Sequence, residues 1–342
     1  MLNLKTLLKL LVVCLISVGC LWVSFKDVDF SLVWTYLEKV SYFYVGLCAL
    51  GYVGIQVARV IRWKYLCDRC APIGWWMHTQ IALAGSALIV VLPLRLGEFS
   101  RPILLNRYGG TTISTGLGIA VVERVLDGLT VVFLFFFAIL LLPDSVAVSD
   151  TLLFGAWASF VLFAGVGIAC LLAYWKVSLF QRLLKQTFGK VSPVLANKLG
   201  ELTYGFVDGL RGLDNAKTVT VVLVMTVFYW LSNALALFAL FEAFGWDLPL
   251  MAAAIVTSIV VIGIMVPAGP GFLGTFQGAL IGGLLLMGVE QSEAAAFTLV
   301  LYPINMTVVI GSGLPFIARF LMGVGQRTKF SGLSWSSLVE PK

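Results

Sequence analysis

The residues best able to do chemistry lie close together in a stretch of otherwise apolar sequence. Arg95 is followed by Glu98 and Arg101, and the last two are three residues apart, so they share one helix face. Glu123 and Asp127 are four residues apart and share the face of another helix. Ionisable side chains in apolar surroundings are costly and usually functional. The spacing therefore predicts a polar site enclosed by apolar helices.

The charges of this stretch nearly balance. Four arginines stand against three carboxylates: Arg95, Arg101, Arg107 and Arg124 against Glu98, Glu123 and Asp127. Three of each sign can pair, which leaves one guanidinium in excess, and we expect Arg101 to contact Glu123 or Asp127. An unpaired guanidinium suits a phosphate, which it binds through two parallel hydrogen bonds. The alternative is a buried ion-pair network that only pins one helix to the next.

A second stretch is expected to contribute backbone groups rather than charged side chains to the candidate site. Its tip contains Pro267, Gly269 and Gly271, and Gln277 is the one strongly polar side chain that follows. Proline removes a backbone donor and breaks a helix, and glycine allows the chain to reverse. We expect these four residues to contribute to substrate binding, and we interpret the later glycines as tight helix packing.

Composition places these residues in a membrane protein. Of the 342 residues, 60% are hydrophobic and 12% are charged, whereas soluble domains carry about 25% charged residues. Several apolar runs reach the roughly 20 residues that a spanning helix needs, and they are continuous rather than alternating. The single histidine, His78, and the isolated pair Cys67 and Cys70 provide no metal site. The sequence predicts no soluble catalytic domain and no cofactor.

The distribution of basic residues predicts the orientation. Lys and Arg occur before the first apolar run, after the second, in 176–217 and in the C-terminal tail. The connections 143–150, 242–250 and 288–293 contain acids but no Lys or Arg. By the positive-inside rule, both termini face the cytoplasm of a cell-membrane protein.

Two segments do not fit this orientation as simple loops or spans. Each is too long for a loop, and each begins and ends on the same side of the membrane, so it cannot be a single span. The stretch 77–110 begins and ends inside, and 249–288 begins and ends outside. A re-entrant hairpin accounts for each, with tips at Pro93 and Pro267. Such backbone is tolerated at membrane depth where it is buried in protein or lines a cavity.

Because one hairpin enters the membrane from each side, the sequence predicts an inverted repeat in which 42–142 corresponds to 219–320. Paired Gly/Pro interruptions at corresponding positions indicate a transporter's binding site; the alternative is that Pro and Gly are simply common in membrane helices. The predicted fold class is an all-α polytopic membrane protein with about six full spans and two re-entrant helical hairpins. We predict one transmembrane domain, 1–324, with a cytoplasmic amphipathic segment at 176–217 and a disordered tail, 325–342.

Three motifs resemble the lysylphosphatidylglycerol synthase transmembrane-region family over about residues 5–322. They are Pro93-x-Arg95-x-Gly97-Glu98-x-x-Arg101-x-x-Leu104-Leu105-x-Arg107-x-Gly109, Glu123-Arg124-x-x-Asp127-Gly128-Leu129 and Pro267-x-Gly269-Pro270-Gly271-x-x-Gly274. The resemblance implies a stand-alone module like the flippase portion of bacterial multiple peptide resistance factors, without the synthase domain. Family members often have Glu where this chain has Gln277, and Arg or His near Pro303.

Together these features predict a lipid translocase rather than an enzyme. Arg101 and Arg124 are expected to hold phosphate, and the carboxylates to orient them or meet an amine. The expected partner is an anionic or aminoacylated phospholipid or a polyprenyl-linked head group, with no nucleic acid and with a homo-oligomer or partner enzyme left open. The alternatives are a membrane protein that recruits a glycosyltransferase or lipid synthase, and an integral membrane enzyme acting on lipid phosphates.

Overall fold

The structure, a computed structural model, describes residues 4–141, 150–176, 182, 186, 203–213, 215–266 and 268–323. These residues are largely helical and contain no strand, which confirms the predicted all-α fold. Pro267, most of the predicted amphipathic segment 176–217 and the predicted tail 325–342 lie outside the described residues.

The first half of the chain contains both long and short helices. In chain order these are α1 (Leu4–Phe25), α2 (Phe30–Glu38), α3 (Tyr42–Cys67), α4 (Trp75–Val91), a 3-10 turn (Pro93–Phe99), α5 (Ser100–Gly109), α6 (Ile113–Leu140) and α7 (Asp150–Trp175). The second half repeats the order that begins at α3. Its elements are α8 (Ala216–Phe244), α9 (Leu250–Gly263), a 3-10 turn (Pro270–Phe272), α10 (Thr275–Leu286) and α11 (Gln291–Met322).

Six of these helices have the length of a membrane span. They are α1, α3, α6, α7, α8 and α11, with 22 to 32 residues each. At about 1.5 Å per residue, each exceeds the roughly 30 Å of a bilayer core. Length and hydropathy together mark α3, α8, α11 and residues 153–172 of α7 as candidate spans. α6 is long enough, but Glu123, Arg124 and Asp127 interrupt its apolar sequence.

The first short pair of helices forms the predicted hairpin. α4 has 17 residues and α5 has 10, too few to cross the bilayer, and α4 packs against both the 3-10 turn and α5. Leu92 is extended, as a residue before proline tends to be. Arg95 has a left-handed backbone with φ 56°. A side chain at Gly97 would collide with the backbone of α4, so only glycine allows this close return.

The second short pair folds back in the same way. α9 has 14 residues and α10 has 12, and the two pack together. The turn between them has Gly271 at φ 72° and Phe272 at φ 55°, so the chain again reverses through left-handed backbone. The prediction of two helical hairpins is thereby confirmed.

The two halves pack as an inverted repeat. Gly51 of α3 lies beside Ala236 of α8, whereas Arg62 lies beside Thr226, so the two helices run antiparallel. α11, the last helix of the second half, packs on α4 of the first half, and α6 packs on α9. The two 3-10 turns also touch. This reciprocal packing brings both hairpin tips to the centre of the bundle.

Candidate functional site

A cavity of about 380 Å³ lies where the hairpin tips meet α3, α6, α8 and α11. Its volume is in the range of small-molecule sites. Most of its wall is apolar, but eight charged side chains line it: Arg59, Arg62, Arg95, Glu98, Arg101, Glu123, Arg124 and Asp127. The structure thus brings six of the predicted site residues together and adds two arginines from α3.

Arg62 holds both predicted carboxylates of α6. Its Nη1 lies 2.5 Å from Asp127 Oδ1, and its Nη2 lies 2.7 Å from Glu123 Oε1 and 3.1 Å from Asp127 Oδ2. The Arg62 side chain is only 2% exposed. Arg62 is one of the basic residues from which only the membrane orientation was predicted. Its spacing of three from Arg59, within an apolar helix, was the signal that could have identified it.

Arg101 of the first hairpin makes the predicted contact with α6. Its Nη1 lies 2.6 Å from Glu123 Oε2, so the expected Arg101–carboxylate contact is confirmed, and both side chains are buried. Gly85 of α4 makes room for this arginine, because an added Cβ would occupy the position of Arg101 Cγ. The guanidinium also lies over the Trp63 ring, 5.0 Å from its centroid. Arg101 therefore joins the hairpin to α6.

Asp127 is satisfied by residues that sequence spacing did not indicate. Besides Arg62, the indole of Trp230 on α8 donates to Asp127 Oδ1 at 3.1 Å. The oxygens of Glu123 and Asp127 thus all accept hydrogen bonds within the network. Buried charges of this kind are stable only when paired and hydrogen-bonded.

Glu98 forms a looser cluster at the first hairpin tip. Its Oε1 lies 3.4 Å from both Arg95 Nη1 and Arg124 Nη2. Arg124 keeps 44% of its side chain exposed beside the cavity. Arg95 also donates from Nη2 to the carbonyl of Ile264 and lies over the Phe272 ring, 5.4 Å from its centroid. Arg95 therefore connects the two hairpin tips.

Arg59 is held by neutral groups. It donates to Gln56 Oε1 at 2.5 Å and to Tyr229 Oη at 2.8 Å, and in the part of the chain that the structure describes it has no carboxylate partner. Arg107, counted in the sequence-based charge balance, is exposed and lies over Tyr108, away from the cavity. The arginine excess at the site therefore comes from α3 rather than from Arg107.

The polar groups of the second hairpin bond to neighbouring helices or within the hairpin itself. Gly269 donates from its backbone N–H to Ser17 Oγ of α1 at 2.8 Å. The carbonyl of Gly271 accepts from Tyr302 Oη at 3.0 Å, and Gln277 Oε1 accepts from the N–H of Gly274 at 2.7 Å. Gly269, Gly271 and Gln277 are not among the residues that line the cavity, and their expected part in substrate binding stays a prediction.

These residues are engaged elsewhere because a broken helix end must satisfy its own free backbone groups. This hairpin's wall of the cavity is mainly apolar and includes Met265, Phe272 and Phe276. Pro267, the fourth predicted residue of this tip, lies outside the described residues.

The cysteine pair noted in the sequence lies apart from the cavity. Cys67 is buried in the core, and the thiol of Cys70 donates to the carbonyl of Asp208 at 3.5 Å. Burial raises the pKa of Cys70 to about 11. Among the described residues, no three His, Cys, Asp or Glu side chains are placed to hold a metal ion.

Comparisons with known proteins agree with this architecture. The family model described as the lysylphosphatidylglycerol synthase TM region matches residues 7–313. Two relatives from Methanothermobacter thermautotrophicus strain Delta H are each named a UPF0104 membrane protein. One is 22% identical over 284 residues, 80% of this chain and 82% of the relative. The other is 23% identical over 302 residues, 85% and 89% respectively. No solved structure matches this chain.

Proposed function

Since the chain belongs to the lysylphosphatidylglycerol synthase transmembrane-region family, we propose that it moves a phosphate-bearing lipid head group between membrane leaflets. A charged head group does not cross an apolar bilayer core unaided, because its loss of hydration is costly. A polar cavity inside apolar helices provides substitute contacts. The lipid tails stay in the bilayer while the head group enters between the hairpins.

The observation that carries this proposal is the cationic excess of the cavity. Five arginines and three carboxylates line it, which leaves two positive charges in excess. Arginine matches the geometry of phosphate oxygens with paired N–H donors. In a site shielded from water, such charges act more strongly than at a protein surface.

The contacts divide the arginines into two groups. Arg62 and Arg101 are buried and engaged with Glu123 and Asp127, so they hold the helices together. Arg124, one of the two residues expected to hold phosphate, keeps that role in the proposal. Arg59 and Arg95 replace Arg101 as its partners, because Arg59 has no carboxylate partner in the described part of the chain and Arg95 meets Glu98 only at 3.4 Å.

Glu98 can exchange with the lipid phosphate in this mechanism. At 3.4 Å it binds Arg95 and Arg124 only weakly, so a phosphate can replace it without leaving a deeply buried carboxylate unpaired. When the head group leaves, Glu98 again neutralises both arginines. Because Glu98 and phosphate replace each other, Arg95 and Arg124 have a negative partner whether the lipid is bound or absent.

We also propose that the protein lies in the cell membrane with both termini in the cytoplasm. The support is the concentration of Lys and Arg in the segments assigned to the inside and their absence from three acidic connections. In this orientation α4 and α5 meet the membrane from the cytoplasmic side, and α9 and α10 from the opposite side.

Reconstitution in vesicles tests the proposal. Purified protein is placed in phosphatidylcholine vesicles with tail-labelled phosphatidylglycerol, and loss of signal to an impermeant quencher reports movement between leaflets. We expect faster movement than in protein-free vesicles, with the lipid chemically unchanged. Conversion of the lipid would instead identify a membrane enzyme, and inactivity combined with co-purification of a synthase or glycosyltransferase would identify a recruiting protein.

A further inference from the structure

The deep carboxylates of the cavity leave no acceptor for a bound amine. Glu123 receives Arg62 on Oε1 and Arg101 on Oε2, and its side chain is 3% exposed. Asp127 receives Arg62 on both oxygens and Trp230 on Oδ1. An ammonium group reaching either of these carboxylates would have to break a buried ion pair. Glu98, the third carboxylate of the cavity, already lies 3.4 Å from both Arg95 and Arg124, so an ammonium there would compete with two guanidinium groups.

Aromatic faces, the other common partners of an ammonium, are also taken at two places in the cavity. Arg59 and Arg62 both lie over Tyr229, at 5.4 and 5.2 Å from the ring centroid. Arg95 lies over Phe272. At these positions an arginine already supplies the cation that an aminoacylated lipid would bring.

Donors, in contrast, remain available. The Nε atoms of Arg62 and Arg95 are buried and have no hydrogen-bond partner among the described residues. Arg124 is partly exposed and held only at 3.4 Å. A buried donor without a partner is costly, and a bound anion removes that cost. The unused hydrogen-bonding capacity of these arginines thus calls for an acceptor.

From this imbalance we infer that the cavity selects a phosphate head group without an amine and excludes aminoacylated phospholipids. The inference rests on the proposed function, because it names the substrate class of the same site. A lysyl or other amino group would enter a cavity with an excess of two positive charges. The rest of the polar wall is neutral and includes Asn233, Thr257 and Asn305, which suits hydroxyl groups on the phosphate.

Matched lipid probes test the selectivity. The full chain is reconstituted in phosphatidylcholine vesicles with one tail-labelled probe at a time: phosphatidylglycerol, phosphatidic acid, a polyprenyl phosphate or lysylphosphatidylglycerol. We expect at least one amine-free probe to move at least tenfold faster than lysylphosphatidylglycerol. The amine-free probe that moves fastest then indicates whether the natural substrate is a diacyl lipid or a polyprenyl lipid. Lysylphosphatidylglycerol moving as fast as the fastest amine-free probe would overturn the inference.

A carboxylate added to the wall gives a second test. Asn305→Asp is expected to raise the rate of lysylphosphatidylglycerol relative to phosphatidylglycerol at least threefold, and Asn233→Asp serves if the first variant does not fold. The exposed Arg107→Gln is the control, with an unchanged ratio. An unchanged ratio in a folded Asp variant counts against the inference.

Binding separates this inference from the translocase proposal. If no probe moves faster than in protein-free vesicles, translocation fails, and thermal unfolding with short-chain lipids then tests the head group alone. Stabilisation by dihexanoyl phosphatidylglycerol but not by its lysyl derivative supports the selectivity. Equal stabilisation by both refutes it.

Discussion

Arg62 of α3 and Asp127 of α6 form a buried ion pair in which Nη1 and Oδ1 are 2.5 Å apart. The two residues are far apart in sequence and meet only because α3 and α6 both border the cavity. Arg101 was expected to contact Glu123 or Asp127. It pairs with Glu123, and the arginine that pairs with Asp127 is Arg62. These pairings determine what substitutions at the site should do.

Asp127→Ala should destabilise the protein severely. Without Asp127, Arg62 and Arg101 would share the single carboxylate of Glu123, and breaking a buried pair typically costs about 3–5 kcal/mol. Thermal unfolding in detergent measures the effect. Glu98→Gln is the matched control: its side chain is 33% exposed with contacts of 3.4 Å, so we expect less than about 1 kcal/mol. Equal losses in the two variants would contradict the assignment of Asp127 to the buried network.

Arg101→Ala and Arg107→Ala should differ sharply. Arg101 is buried against Glu123, so its loss should lower both the yield of folded protein and lipid movement. Arg107 is exposed, and its loss should change the free energy of unfolding by no more than about 0.5 kcal/mol. Size-exclusion profiles and vesicle assays compare the two. Similar damage from both would show that the charge of α5 matters more than the pairing.

Gly85→Ala should be destabilising although alanine favours helices. Its methyl group would overlap the side chain of Arg101, which Glu123 holds in place, and such overpacking typically costs about 1–3 kcal/mol. Gly46→Ala is the control, because no atom lies within 4 Å of its added Cβ. There we expect a neutral effect or a gain of roughly 0.5–1 kcal/mol in the free energy of unfolding. A neutral Gly85→Ala would mean that Arg101 can shift freely.

Two substitutions at Arg95 separate its backbone from its charge. Arg95 has φ 56°, a left-handed conformation that costs most residues about 1–2 kcal/mol but costs glycine little. Arg95→Gly should therefore be more stable than Arg95→Ala by about 1 kcal/mol. Both should slow lipid movement, because both lose the guanidinium. Wild-type transport in Arg95→Gly would remove Arg95 from the proposed phosphate site.

Accessible cysteines test the topology of the first hairpin. In a cysteine-free background, Trp76→Cys and Arg107→Cys lie near the two ends of the hairpin at exposed positions, and Tyr42→Cys lies at the start of α3. An impermeant maleimide should label the first two from the same side of the membrane and the third from the other side. Labelling of positions 76 and 107 from opposite sides would mean that this segment spans the bilayer.

The sequence by itself determined the features that depend on neighbouring residues. Apolar runs, the charges that interrupt them, and the Pro and Gly residues at each tip predicted long helices, two hairpins and a charged site at Arg95, Glu98 and Arg101. Hydropathy and helix breaking act over a few residues, so they can be read along the chain. The distribution of basic residues indicated that 77–110 and 249–288 each begin and end on one side of the membrane, and the hairpins were predicted from this.

Only the tertiary structure decided which charges meet. Arg62 reaches Asp127 because α3 and α6 border the same cavity, and Arg59 joins the site because α3 runs antiparallel to α8 and meets Tyr229. Gln277 lies outside the cavity lining, and its Oε1 accepts from the N–H of Gly274 in its own turn. Contacts between distant segments depend on helix packing and on the need to satisfy every buried polar group, and neither is encoded in local spacing.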